Sequence, residues 1–471
     1  STTCNVCGGS GQIISNRPSG SDTQGMINEE EIVSIKIPAG VEEGMQLKVS
    51  GKGNSALSNG ISGIRTITQV SSDSFPCKVS GEVQNFEPGE WMNPKEAKRM
   101  GRFSQLAVAA AKDAIKQSGF LGKIDTDRIG VLIGTGAGGL PETDQQAAIK
   151  ESKGVMRMSP FYIPSMLSNM ASANISRIYQ ATGYNNTCIT ACAASTQAIG
   201  EAAEIIKNNK ADIVITGGAE SGICEIGMGG FSTMHALSTW DGDPSKASRP
   251  FDANRDGFAP AEGSGILILE SEEHAIKRGA VPIAEIAGFG VTSDAFHLVQ
   301  PHKEGLGATK AMKLAIEDAG LEKKDIDYIN AHGTSTPTND RIETLAIKNL
   351  FGDEAYNIPI SSTKSMVGHS LGASGALEII ACIQSTIHDE IHPTINLENP
   401  DPECDLNYVP NTKIKKKVEV ALSNSFGFGG QNACVVVKLS LIHISEPTRP
   451  ERIGVGGVGV EKKRGGGGGG G

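Results

Sequence analysis

No stretch of this sequence approaches the ~20 consecutive apolar residues that a membrane-spanning helix requires, so no membrane insertion is expected. Positive charge is also short: 43 Lys and Arg stand against 53 Asp and Glu, a formal net charge of −10. Nucleic acid and anionic bilayers need a surplus of cations facing their phosphates, so neither is an expected partner, and any basic docking patch must be local. Nine cysteines in 471 residues are too sparse for a disulfide scaffold. Cys382 and Cys434 lie inside apolar runs, where a free cysteine acts as a small hydrophobe. The opening Ser1-Thr2-Thr3-Cys4 has neither a basic nor an apolar leader segment, and the expected location is cytoplasmic.

What is present falls into unlike pieces. Residues 1–55 begin with Cys4-Asn5-Val6-Cys7 and carry two short strand patterns, Glu31–Ile37 and Met45–Val49, so they read as a small β-rich fragment. From about 57 to 439, β runs such as Ile129–Ile133 and Ala211–Ile215 alternate with alanine-rich helical stretches, the α/β signature. Residues 440–471 lack apolar periodicity and end in seven glycines, which bury nothing and cost maximal backbone entropy to order. That tail is expected to be disordered.

Three segments of the middle piece carry chemistry. Thr187–Thr190 reads as a strand end, and Ile199, Ala203 and Ile206 mark one face of a following helix, so Cys192 sits at a strand-to-helix turn. Unsatisfied helix N–H groups there favour the thiolate, although alone this cysteine would read as buried packing among alanines. Tyr328–Ala331 delivers His332 into a Gly-Thr-Ser-Thr-Pro loop, and Ile358–Ser362 delivers Lys364 and His369 into a glycine-rich loop. Polar residues on loops at strand ends occupy the part of an α/β sheet where ligands bind. The run Gly134–Gly139 lacks the Lys-Ser/Thr of a phosphate-binding loop and is better explained as a tight turn.

Thr190-Ala191-Cys192-Ala193-Ala194-Ser195, His332-Gly333-Thr334-Ser335-Thr336-Pro337, Lys364-Ser365-Met366-Val367-Gly368-His369 and Asn424–Gly430 resemble, in order, the signatures of β-ketoacyl-acyl-carrier-protein synthases. Ser159–Pro164, Arg249–Asp252 and Arg255–Phe258 favour the elongating synthase II type. The resemblance implies a thiolase-like αβαβα fold of two related halves, 57–280 and 281–439, usually paired as a homodimer. It implies a decarboxylative condensation of acyl and malonyl thioesters held on acyl carrier protein, without cofactor or metal. By motif, Cys192 would accept the acyl chain, and His332 and His369 would hold the malonyl-derived enolate. Lys364 and Glu378 would form a supporting pair, with an exposed, weak ion pair as the plainer reading. The N–H groups of Cys192 and Phe428 would bind the acyl oxyanion, and the Phe428 ring would gate the acyl pocket. Lys95, Lys98 and Arg99 match a carrier-docking patch, with a solvated helix face as the plainer reading. A polyketide-type ketosynthase shares the same triad.

The first piece resembles something else: Cys4-x-x-Cys7-x-Gly9-x-Gly11 with Ile35–Leu47 is similar to the zinc-finger end and first β-domain of a DnaJ-type co-chaperone. A structural zinc site needs four ligands, and this segment offers Cys4 and Cys7, half a motif, so no stable site is expected. Against the synthase pattern, the join near Ala56–Ile64 removes the first β-strand, which would leave neighbouring strands with unpaired backbone groups. Together with a tail resembling translated adapter DNA, this reads as a chimera that could lack activity.

Overall fold

The middle piece forms thirteen strands, and the tail one more, in a computed structural model that describes residues 56–440 and 458–460. In chain order they are β1 (Arg65–Thr66), β2 (Val79–Ser80), β3 (Ile129–Gly134), β4 (Asn185–Cys188), β5 (Ile213–Glu220), β6 (Gly263–Ser271) and β7 (Ala284–Ser293). There follow β8 (Tyr328–Asn330), β9 (Ile360–Ser361), β10 (Glu390–Ile391), β11 (Ile414–Lys415), β12 (Val420–Gly427), β13 (Gln431–Leu439) and β14 (Val458–Val460). The co-chaperone-like reading of residues 1–55, with Cys4 and Cys7, lies outside the described residues, as do 441–457 and 461–471.

Ten strands form one sheet in the order β4-β3-β5-β6-β14-β7-β13-β12-β8-β9. Read inward from either end, the pairing repeats. β4, β3 and β5 run parallel and meet β6 antiparallel, while β9, β8 and β12 run parallel and meet β13 antiparallel. This repeat is the internal duplication that the two-halves expectation requires.

Both faces of the central strands β3, β5, β6, β12 and β13 are buried, because side chains alternate and each face meets a helix layer. In β3, Leu132 points into a core shared with helices Ala194–Lys207 and Ser374–His388, while Val131 and Ile133 face helices Arg102–Ser118 and Met170–Tyr179. The second half repeats this. Val435 and Val437 of β13 join the shared core, and Cys434 and Val436 face helices Leu306–Asp318 and Pro337–Phe351. The result is the αβαβα layering, with the alanine-rich helices of the two halves back to back in the middle. Ile199, Ala203 and Ile206 all lie in that central core, as their spacing requires.

Two details differ from expectation. The segment 440–471 is not wholly without structure, because Val458–Val460 pairs parallel with β6 at Leu269–Ser271 and with β7 at Ala284–Glu285. The place between β6 and β7 is therefore filled, over three residues, by a strand from the tail. Strand Ile358–Ser362 is shorter than read, limited to Ile360–Ser361 by the short β8 it pairs with.

Candidate active site

The strand ends of both halves deliver the chemistry to one place. β4 ends at Cys188, and the chain turns through Ala191, whose φ of +50° is a left-handed conformation, into a single helical turn that runs on as Ala194–Lys207. This strained elbow presents Cys192, 6% exposed, to residues from the other half. His369 Nε2 lies 3.1 Å from Cys192 Sγ, and the His332 and His369 rings meet edge to face with centroids 5.5 Å apart. The three residues predicted from separate loops are thus brought together.

Each imidazole is held from behind. His369 Nδ1 is 3.0 Å from Ser374 Oγ, a hydroxyl able to donate or accept, and its ring packs edge-on against Phe258. His332 Nδ1 is 3.3 Å from Lys364 Nζ, which also donates to the His332 carbonyl at 2.7 Å. An ammonium can only donate, so His332 Nδ1 accepts and its proton sits on Nε2. The ligand atoms of Cys192, His332 and His369 lie within 4.8 Å of one another, a spacing open to a metal ion. The Lys364 contact instead commits His332 to hydrogen-bond donation.

Lys364 and Glu378 form an ion pair with both side chains 1% exposed, so the exposed weak pair foreseen as the plainer reading is not what the fold builds. Glu378 projects from helix Ser374–His388, which begins five residues after His369, so the pair ties the two histidine loops to one helix.

Burial sets the protonation states. It pushes the Cys192 thiol up to about 11, against the opposing effects of Lys364 and of the backbone N–H groups of Phe428 and Cys192 itself. The expectation that a helix start would favour the thiolate is therefore corrected for the resting protein, because desolvation of the charge outweighs the helix-end field. Burial, with Lys364 nearby, also holds both histidines well below the usual imidazole range, so both are neutral.

Phe428 follows β12, and its backbone N–H bonds to the Cys192 sulfur. That approach needs Gly427, where a Cβ would stand 2.7 Å from the Thr190 carbonyl and 3.2 Å from Cys192 N. The Phe428 ring lies 6.4 Å from Phe231. Lys95, Lys98 and Arg99 are exposed on and after the short helix Pro94–Ala97, with the Arg99 guanidinium 4.7 Å over the Phe161 ring, and none belongs to the buried constellation.

Sequence reasoning missed Glu343. Its carboxylate accepts from His332 N and Gly333 N, each at 2.8 Å, and from Asn424 Nδ2 at 3.2 Å, which fixes the His332 loop against β12. Burial pushes it up to about 7. The available signal was a glutamate two turns into the helix that opens at Thr336-Pro337, a common surface pattern that carries no mark of burial. The Gly134–Gly139 turn directs N–H groups of Gly136 and Ala137 at the Glu220 carboxylate, so it holds a protein anion there.

A cysteine at a strand-to-helix elbow, two neutral imidazoles and a duplicated αβαβα body define a thiolase-like acyl-transferring enzyme. Models of the beta-ketoacyl synthase N-terminal and C-terminal domains match residues 53–275 and 283–398. The chain is 49% identical over 383 residues to a 3-oxoacyl-[acyl-carrier-protein] synthase 2 of Synechocystis, covering 81% of this chain and 92% of that protein. Among solved structures it resembles a beta-ketoacyl synthase from Burkholderia phymatum, with TM-score 0.77, 35% identity and coverage of 83% and 95%. It also resembles a chain of the structure of a type II polyketide acyl-carrier protein in complex with its ketosynthase, with TM-score 0.76, 31% identity and coverage of 84% of this chain and 96% of that one. This chain belongs to the β-ketoacyl synthase family.

Proposed function

We propose that the chain catalyses the decarboxylative condensation of an acyl thioester with malonyl-acyl-carrier-protein, giving a 3-oxoacyl-acyl-carrier-protein two carbons longer, in fatty acid elongation. The observation that carries this reading is the convergence of Cys192 with two neutral imidazoles in one buried pocket. His369 Nε2 takes the thiol proton as Sγ attacks the acyl carbonyl, and returns it to the departing carrier thiolate. The N–H groups of Cys192 and Phe428 hold the oxyanion, a contribution of ~3 kcal/mol per donor in comparable sites. Malonyl then loses CO2, and the electron pair of the broken C–C bond passes into an enolate held by His332 Nε2–H and, once its ring proton has moved from Nδ1 to Nε2 with Ser374 Oγ donating to Nδ1, by His369. The enolate carbon attacks the acyl carbonyl, and Cys192 leaves as thiolate and takes one proton from solvent, the proton consumed overall when a carboxylate departs as CO2. Fixed neutral donors suit this step, because they stabilise charge only as it develops.

Lys364 and Glu378 support His332, Phe428 gates the acyl pocket, and Lys95, Lys98 and Arg99 dock the acidic carrier. The chain works as a cytoplasmic homodimer, and Val155 and Met156, 63% and 91% exposed, supply apolar surface for a second copy. Among the described residues no helix is long and apolar enough to cross a membrane. Polyketide extension is the weaker reading, since the polyketide ketosynthase complex is 31% identical where the synthase 2 relative reaches 49%. Residues 1–55 we read as a joined co-chaperone-like segment, which a continuous DNA read across codons 50–65 checks.

A mass-tagged acyl carrier protein is expected to transfer its acyl group to Cys192. Labelling of the wild-type chain no greater than that of Cys192→Ala excludes the reading.

A further inference from the structure

Glu220, the last residue of β5, is fully buried and plays no part in the chemistry described above. Its Oε2 accepts from Gly136 N at 2.5 Å and Gly372 N at 3.0 Å, and its Oε1 accepts from Ala137 N and Thr135 Oγ1, both at 3.3 Å. Three partners are N–H groups and the Thr135 hydroxyl has a proton to give, so all four can donate at once and favour the carboxylate, against burial, which pushes the Glu220 carboxyl up. Thr135–Ala137 follow β3 in the first half of the molecule. Gly372 lies three residues past His369 in the second, in a turn entered through Leu371 at a φ of +42°. The two loops touch directly, since a Cβ on Gly372 would stand 2.2 Å from Gly136 N, and one on Gly218 would stand 2.8 Å from the Gly372 carbonyl and 2.5 Å from Ser195 Cβ. Ser195 Oγ in turn accepts from Ala376 N at 2.9 Å, three residues along the helix from Cys192.

We propose that Glu220 is a positioning residue for Cys192 and His369, its carboxylate fastening the loop after β3 to the turn after His369 where the two halves meet beside the nucleophile. A backbone junction built from glycines has no side chains to define its spacing, and an anion receiving four donors from both sides supplies it. The same charge also reaches the nucleophile. Cys192 faces His369, His332, Lys364 and Glu220, and Glu220 is the one among these that acts against the thiolate. The proposal rests on Cys192 as the acyl acceptor.

The test compares full-length wild type, Glu220→Gln and Gly372→Ala in two assays: single-turnover acyl loading from a mass-tagged acyl carrier protein, and the pH profile of iodoacetamide alkylation of Cys192. Glu220→Gln is expected to load at least about tenfold slower, the scale at which small misplacement of reacting groups acts. Its alkylation profile moves to lower pH, because an opposing negative charge is gone. Gly372→Ala opens the same junction with the charge retained, so it loses loading without that shift. Wild-type loading by Glu220→Gln, or profiles that superimpose, overturns the proposal. If Glu220→Gln does not fold, Thr135→Val removes one donor and keeps the charge, and unchanged loading by that variant overturns it equally. Failure of the wild-type chain to load at all refutes the functional reading instead, and the alkylation profiles still decide whether Glu220 acts on Cys192.

Discussion

Cys192 is buried as a thiol beside a neutral imidazole, so in the proposed reaction the anion is made as acyl transfer proceeds and is not stored. Its alkylation rate by iodoacetamide is expected to climb continuously from pH 7 towards pH 10, following a thiol pushed up to about 11. A plateau reached near neutral pH would show a stored thiolate–imidazolium pair and contradict this. Glu343 gives a second, thermodynamic expectation. Its carboxyl is raised from 4.5 to about 7, so the folded state binds its proton more tightly than the unfolded chain does. That contribution to stability is complete below pH 4.5 and is lost as pH rises through 7. The stability of the wild type relative to Glu343→Gln, measured by urea unfolding, is therefore expected to fall over that window. A difference independent of pH would show that the carboxyl titrates alike in both states.

At the scale of elements, the β12–β13 hairpin and the turn at Cys192 are held together by the missing side chain of Gly427. Gly427→Ala is expected to push the hairpin off the Thr190 carbonyl and withdraw the Phe428 N–H from the sulfur. Acyl loading should fall by about tenfold to a hundredfold with little change in melting temperature. Equal loading would remove Phe428 from the oxyanion role. The tail strand β14 is expected to matter for stability and not for chemistry, because it joins β6 to β7 far from Cys192 in the sheet order. Ending the chain at Ser440 should cost on the order of a few kcal/mol, at ~1 kcal/mol net per ladder hydrogen bond. An unchanged urea midpoint would show that β14 adds nothing.

At the scale of the whole molecule, the proposed function requires a chain of net charge −10 to recruit an acidic carrier through local cations. Reversing Lys95, Lys98 and Arg99 to Glu is expected to raise the KM for acyl carrier protein severalfold, leave kcat nearly unchanged and flatten the salt dependence. An unaltered KM would place docking elsewhere. Sedimentation velocity on the intact chain tests the homodimer, and a monomer at micromolar concentration would reject it.

The sequence determined the α/β class, the central-helix face of Ile199, Ala203 and Ile206, and which cysteine and histidines the fold brings together, because periodicity and loop chemistry are local properties. Helix starts and strand ends are written within a few residues of themselves. What only the tertiary structure decided was the state and support of those groups. The thiol is neutral because the fold strips it of water, Lys364 is an internal donor because the second half closes over it, and Glu343 and Glu220 matter because distant backbone N–H groups converge on them. Desolvation and long-range hydrogen bonding depend on what surrounds a residue in space. No pattern along the chain encodes that, and so the candidate residues were legible in the sequence while their protonation and support were not.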